Sequence, residues 1–217
     1  LCDNRAMTTR TLVHLVRHGE VHNPDKGLYG RLAGFQLSER GRAMALVLAD
    51  YLGTRDIVHL VSSPLERAQE TIAPLAQRLN LPVVIDERVI EAANSFEGET
   101  VRVGTFLRPK NLGRLYDVTK PSWGEPYVEI VERVSDAVDS AREAAAGHEA
   151  VIVSHQLPVW MMRSAVEGRR LWHDPRSREC SLASVTTLAF VGTEVSAVSY
   201  AEPARHLLSD DTSSVGA

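Results

Sequence analysis

Strand-sized apolar runs alternate with helix-patterned segments along most of this sequence, and several runs stop on polar, titratable clusters. Residues 11–16 are apolar and partly β-branched and end at Arg17-His18-Gly19. Residues 38–52 have helical spacing, with Met44, Leu48 and Leu52 on one stripe and Gly53 as the expected C-cap. Residues 57–61 read as a second buried strand. In Ser63-Pro64-Leu65-Glu66 the serine suits an N-cap, the proline a first helical position and the glutamate a capping box, which predicts a helix running to about residue 79.

The pattern continues with a short strand at 83–85 and a helical stripe of Tyr127, Val131, Val134, Val138 and Ala141. Residues 150–153 predict a buried strand ending at Ser154-His155, and a helix from about 157 to 166 closes at Gly168. Residues 185–190 and 195–200 read as late strands joined by a turn containing Gly192. Such alternation predicts an α/β fold of three layers, a mainly parallel sheet with helices on both faces.

At 217 residues, 44% hydrophobic and 24% charged, the chain fits one domain, expected over 11–205. Residues 1–10 read as a flexible N-terminal extension, with Met7 a more natural start than Leu1, and 206–217 as a disordered tail. Residues 96–126 are irregular and hold several Gly and Pro, and a segment of that length is expected to form a lid or pocket wall. Cys2 and Cys180 lie too far apart to suggest a disulfide framework or a metal knuckle, so a cytoplasmic location is expected. A net charge of -4 argues against nucleic acid as the main partner. No apolar run approaches the ~20 residues that span a bilayer, and the first ten residues lack a secretory core. The oligomeric state is not legible, and a homodimer is among the states the sequence allows.

Ligands of parallel sheets bind outside the carboxyl ends of the strands. Three such ends carry chemistry: Arg17-His18-Gly19-Glu20 with Asn23 close behind, Ser62-Ser63 leading to Arg67, and His155. Two arginines, two histidines and nearby helix N-termini suit a phosphomonoester, because guanidinium groups match its oxygens and helix N-termini favour anions. Gly19 is expected to let the backbone approach that anion. An imidazole with one unprotonated nitrogen can attack phosphorus, and surrounding cations can stabilise the transferring group without a metal or cofactor. The departing alkoxide then needs an acid, for which Glu87, Glu91, Glu97 and Glu99 are candidates. Glu91 is preferred, since its uncharged neighbours Ile90, Ala92 and Ala93 favour a raised pKa, and Glu97 is the reserve.

Plainer readings stand beside these. A lone strand-end histidine is ordinarily structural, and Arg67 could be a solvated first-turn arginine. His18 and His22 could suggest a metal pair, but the Gly-Glu-Val between them and the loop context disfavour it. Glu20 reads as a loop-orienting residue, Asn23 as either a turn residue or a phosphate ligand, and His14 as packing. Trp123, Trp160, Met161, Met162 and Trp172 read as core or pocket wall.

The constellation resembles the histidine phosphatase superfamily, the phosphoglycerate mutase-like group. The match lies in Arg17-His18-Gly19-Glu20 with Asn23, in Ser63-Pro64-Leu65-Glu66-Arg67-Ala68-Gln69-Glu70-Thr71, in Val153-Ser154-His155, and in Glu91 ahead of Glu97-Gly98, over roughly residues 11 to 200. The resemblance implies a phosphoglycerate mutase-like fold and a phosphohistidine on His18. It also implies Glu91 as proton donor and Arg17, Asn23, Arg67 and His155 around the phosphate of a small substrate, with no metal. This chain departs from the family pattern at Phe96 and the preceding Ala92-Ala93-Asn94-Ser95, near residues 31–37, where it is shortened, and at Gln156, where glycine is usual. These positions concern the substrate more than the chemistry.

The leading expectation is a phosphomonoesterase. The alternative is a cofactor-dependent phosphoglycerate mutase, disfavoured because Val89-Ile90-Glu91-Ala92 lacks the arginine those relatives carry beside the proton donor, although Arg102, Arg108, Lys110 and Arg114 could serve an acidic substrate. A non-catalytic phospholigand-binding regulator is a third reading, weakened because every expected catalytic side chain is present.

Overall fold

A computed structural model describes residues 10–24, 27–93 and 124–208. Most of the expected lid lies outside these residues, together with Cys2, Glu97, Glu99, Arg102, Arg108, Lys110, Arg114 and Trp123.

The chain forms β1 (Arg10–Arg17), α1 (Glu39–Leu52), β2 (Ile57–Ser62), α2 (Glu66–Leu79) and β3 (Val83–Ile85). After the excursion come α3 (Tyr127–Ala144), β4 (Glu149–Ser154), α4 (Gln156–Val166), β5 (Val185–Val191) and β6 (Glu194–Ala201). The six strands make one sheet in the order β3-β2-β4-β1-β5-β6. The first four in that order pair in parallel, and β5 joins β1 antiparallel before turning back into β6. The sheet is therefore mixed, with a parallel core and an antiparallel hairpin at one side.

Strand alternation sends Val13, Leu15, Ala150 and Ile152 to one face, against Ile130, Val134 and Val138 of α3 and Val159 to Met162 of α4. Val16, Val151 and Val153 face the other way, against Met44 and Leu48 of α1 and Ile72 and Leu75 of α2. The sheet is covered on both sides, as its continuous apolar strands require. Among the described residues, no helix is long and apolar enough to cross a membrane.

Three local expectations change, and Gly19 gains a second role. The helix after β2 begins at Glu66, with Leu65 at the cap, because the Ser63 hydroxyl meets His155 at 2.7 Å and the Glu66 carboxylate accepts from the Gly34 amide at 2.9 Å. A capping box would have needed both side chains. His14 is buried but polar: its ring nitrogens meet Thr187 and Glu149, each at 2.8 Å. Burial alone would push the Glu149 carboxyl up, but hydrogen bonds and charge from His14 and Arg55 together bring it down to about 2. Trp172 is 59% exposed, whereas Trp160, Met161 and Met162 are buried. Gly19 also packs closely against the protein, since a Cβ there would meet the Gly41 carbonyl oxygen at 2.7 Å.

That last contact fastens the end of β1 to α1. Ser38, the N-cap of α1, donates from its hydroxyl to Glu20 at 2.6 Å and accepts from the Gly41 amide at 3.0 Å. A Cβ on Gly41 would stand 2.0 Å from the Glu20 carbonyl oxygen, so either the helix or the loop must move. Gly41→Ala is expected to lower stability by about 1–3 kcal/mol, despite alanine's better helix propensity. Denaturant titration reads this, and an unchanged midpoint would contradict it.

Candidate active site

The carboxyl ends of β1, β2 and β4 lie side by side, since Arg17 pairs with Ser154 and Ser62 with Val153. This register brings together Arg17, His18, Arg67 and His155, and the segment after β3 adds Glu91. Arg17 is 7% exposed, Glu91 2%, and the other three are fully buried.

The His18 and His155 rings lie 5.1 Å apart between centroids, inclined at 61°. A carbonyl only accepts, so the 2.7 Å contact with Gly19 O places the His18 proton on Nδ1 and leaves Nε2 as a lone pair. Burial, then the charges of Arg67 and Arg17, hold the His18 pKa well below its ordinary value despite that hydrogen bond. The imidazole is therefore neutral near pH 7. Burial and Arg67 likewise lower the pKa of His155.

Both arginines rest on main-chain carbonyls. Arg17 donates to Cys180 O at 2.7 Å and Arg67 to Gly30 O at 2.6 Å. The Arg67 guanidinium also lies 4.8 Å from the centre of the Tyr29 ring, which stacks on Phe35. These anchors leave buried atoms over. Arg17 Nε, Arg67 Nε and Nη1, His18 Nε2, His155 Nδ1 and Glu91 Oε2 have no hydrogen-bond partner among the described residues. Buried polar groups are seldom left so, and here they are the groups that would bind a tetrahedral oxyanion. Two guanidinium groups would repel a metal cation from the same space. Among the described residues, no group of three or more His, Cys, Asp or Glu is placed to hold a metal, and exposed His22 lies apart from buried His18.

Glu91 sits in an apolar wall beside Ala92, whose amide donates to its Oε1 at 2.9 Å. Burial raises the Glu91 pKa, against the opposing pull of that amide and of Arg67, Arg17 and Arg178. Its loop is clamped from three sides. Arg133 of α3 donates to the carbonyls of Arg88 and Ile90 at 2.6 and 2.8 Å, and Arg31 donates to the Glu91 carbonyl at 2.6 Å. Glu125 bridges the two arginines, at 2.7 Å from Arg133 and 2.9 Å from Arg31. Asn23 stands outside this set of unpartnered atoms, with both amide atoms turned onto the Gly27 backbone. Glu20 is engaged by Ser38 and Arg40.

Several participants carry no sequence signal. Tyr29, Gly30 and the Cys180 carbonyl have no motif, and the Glu125 bridge spans 94 residues to Arg31. Ser63 lay in a recognisable segment, but its role as the partner of His155 competes with helix capping and is decided by contact. Glu125→Ala is expected to loosen the clamp, admit water and move the Glu91 pKa down toward 4.5. Carboxyl-carbon NMR titration measures this, and an unmoved Glu91 would show that Glu125 does not position it.

Comparison with known proteins agrees with this geometry. Residues 13–203 match the histidine phosphatase superfamily (branch 1). A relative from Mycobacterium tuberculosis H37Rv, "Uncharacterized protein Rv0525", is 54% identical over 200 residues, covering 91% of this chain and 99% of that protein. "Probable phosphoglycerate mutase GpmB" of Escherichia coli is 28% identical over 181 residues, 80% of this chain and 83% of the relative. Among solved structures, the mycobacterial glucosyl-3-phosphoglycerate phosphatase Rv2419c with VO3 superposes with a TM-score of 0.66 at 29% identity, covering 82% of this chain and 92% of that one. With the match running from β1 through β6, the chain belongs to the histidine phosphatase superfamily.

Proposed function

We propose that this protein is a phosphomonoesterase that works through a phosphohistidine on His18 and needs no metal. The observation that carries this reading is the set of unpartnered buried atoms on His18, Arg17, Arg67, His155 and Glu91. The phosphatase named among the structural relatives supports it.

Arg17, Arg67 and His155 receive the phosphoryl oxygens, and Asn23 ties its own loop to the Gly27 backbone. The His18 Nε2 lone pair attacks phosphorus, and the bond to the ester oxygen breaks. Protonated Glu91 donates its proton to the departing alkoxide. A water molecule then attacks the phosphohistidine, gives a proton back to Glu91, and frees inorganic phosphate and the imidazole. The arginines stay fixed throughout, so charge on the equatorial oxygens meets preorganised donors.

The runner-up is a cofactor-dependent phosphoglycerate mutase, a reading that the name of the E. coli relative supports. In that reaction the phosphoryl group returns to a bound sugar acid instead of water. Ala92 stands beside Glu91 where the mutase-like relatives carry an arginine, which favours hydrolysis. A cytoplasmic location is inferred from cysteine usage, and a single domain over 11–205 from the continuous strand–helix pattern.

Two experiments test the reading. Rapid quenching with 32P-labelled substrate is expected to give a protein-bound phosphate stable to alkali and labile to acid, absent in His18→Ala. An acid-stable adduct, or none in a protein that turns over, would sink the phosphohistidine. Faster interconversion of phosphoglycerates than their hydrolysis would favour the mutase. The second is a pH profile. His18, lowered below 6.5, stays neutral into the acid range, while Glu91, raised above 4.5, keeps its proton further up the scale. Where phosphohistidine formation limits the rate, activity is expected to fall as pH rises through the Glu91 value. Glu91→Gln should abolish that limb and slow alkyl phosphates by about 10²–10⁴-fold, with p-nitrophenyl phosphate slowed less. An unchanged profile would remove Glu91 from the mechanism.

A further inference from the structure

The loop joining α4 to β5 carries a third arginine that no motif singled out. Arg178 donates from Nε to His173 Nε2 at 2.8 Å and from Nη1 to Gln156 Oε1 at 3.2 Å. His173 donates its own proton to Leu171 O at 2.7 Å, so the nitrogen facing Arg178 is a neutral acceptor. The His173 ring is wedged 5.7 Å from both Tyr127 and Trp160, which fixes the platform.

Arg178 is half-buried, yet both its partners are uncharged. Its neighbours show the contrast. Glu179, the next residue, turns away to pair with Arg163 at 2.7 Å, and Glu167 takes both Arg163 and Arg169. The Arg178 Nη2 makes no hydrogen bond among the described residues. A guanidinium held in place by neutral groups, with a nitrogen left over and carboxylates diverted elsewhere, is suited to an incoming anion.

Its position points to the pocket. Gln156 directly follows His155, and Cys180, two residues past Arg178, supplies the carbonyl that holds Arg17. The Arg178 charge also reaches Glu91, the proposed proton donor. Gln156 also gains a reason here: it stands where glycine is usual in the family, and glycine could not receive Nη1.

We propose that Arg178 is a specificity-determining residue that binds a second anionic group on the leaving-group side of the substrate, with Gln156 and His173 holding the guanidinium in place. This rests on the phosphomonoesterase reading. The substrate class is then a phosphomonoester whose alcohol bears a further negative charge.

The test is a matched pair, 3-phosphoglycerate against glycerol 3-phosphate, which differ only in a carboxylate replacing a hydroxymethyl group. The wild-type protein is expected to favour the carboxylate by about 10- to 100-fold in kcat/KM, the range for a hydrogen bond to a charged group. Arg178→Gln should collapse that ratio toward one, mostly through KM, and Arg178→Lys should retain part of it. A wild-type ratio near one, or an Arg178→Gln variant that loses activity equally on both substrates, would overturn the proposal. Calorimetric binding of the same pair to His18→Ala reads the preference without turnover: a carboxylate preference lost in the His18→Ala, Arg178→Gln double variant supports it, and equal affinities overturn it. Failure of the wild type to hydrolyse p-nitrophenyl phosphate as well would instead count against the phosphatase reading.

Discussion

Two guanidinium groups, Arg17 and Arg67, are buried at the end of the sheet with no carboxylate of the described residues in contact, and much of the surrounding structure answers to that fact. An unpaired buried charge costs several kcal/mol in a real protein. Here the carbonyls of Cys180 and Gly30 and the ring of Tyr29 offset part of it. A nearby carboxylate would offset more, but it would also neutralise the field that a phosphate needs. The Glu91 carboxyl is instead held toward its neutral form by burial. Burial first, and the positive field after it, keep His18 and His155 unprotonated, so enclosure sets the protonation of nucleophile and acid while the charges await the anion.

Such a site needs a rigid frame, because unpaired buried groups relax if they can. Parallel register places the ends of β1, β2 and β4 next to one another, and α1 is latched to the Gly19–Glu20 loop through Ser38 and Gly41. The Glu91 loop has no strand of its own to hold it, and the Arg31, Glu125 and Arg133 bridges do that work instead. At the opposite ends of the strands, His14, Glu149 and Arg55 form a second polar cluster, with its charges paired. Charge is satisfied where the sheet only has to stand and left open where it meets a ligand.

Much of the fold was legible because each signal was local. Alternation in β1 and β4, the stripe of Met44, Leu48 and Leu52, and the turn at Gly192 follow from strand and helix periodicity. Signals failed where one side chain had two possible partners. Ser63 and Glu66 spell a capping box, but each finds a better partner in a residue distant in sequence. His14 sits at a core position of its strand, and periodicity cannot tell a packed ring from one that meets Glu149 across the sheet.

The sequence by itself determined the alternating α/β plan and named Arg17, His18, Arg67, Glu91 and His155 as residues able to handle a phosphoryl group, since residue type and strand-end position are local properties. Only the tertiary structure decided which of their atoms are free. The Gly19 carbonyl selects the His18 tautomer, Cys180 and Gly30 take one side of each arginine, and Glu179 turns from Arg178 to Arg163. Hydrogen bonds and ion pairs are made between neighbours in space, and their burial sets both protonation and cost. Neither quantity exists until the chain has folded.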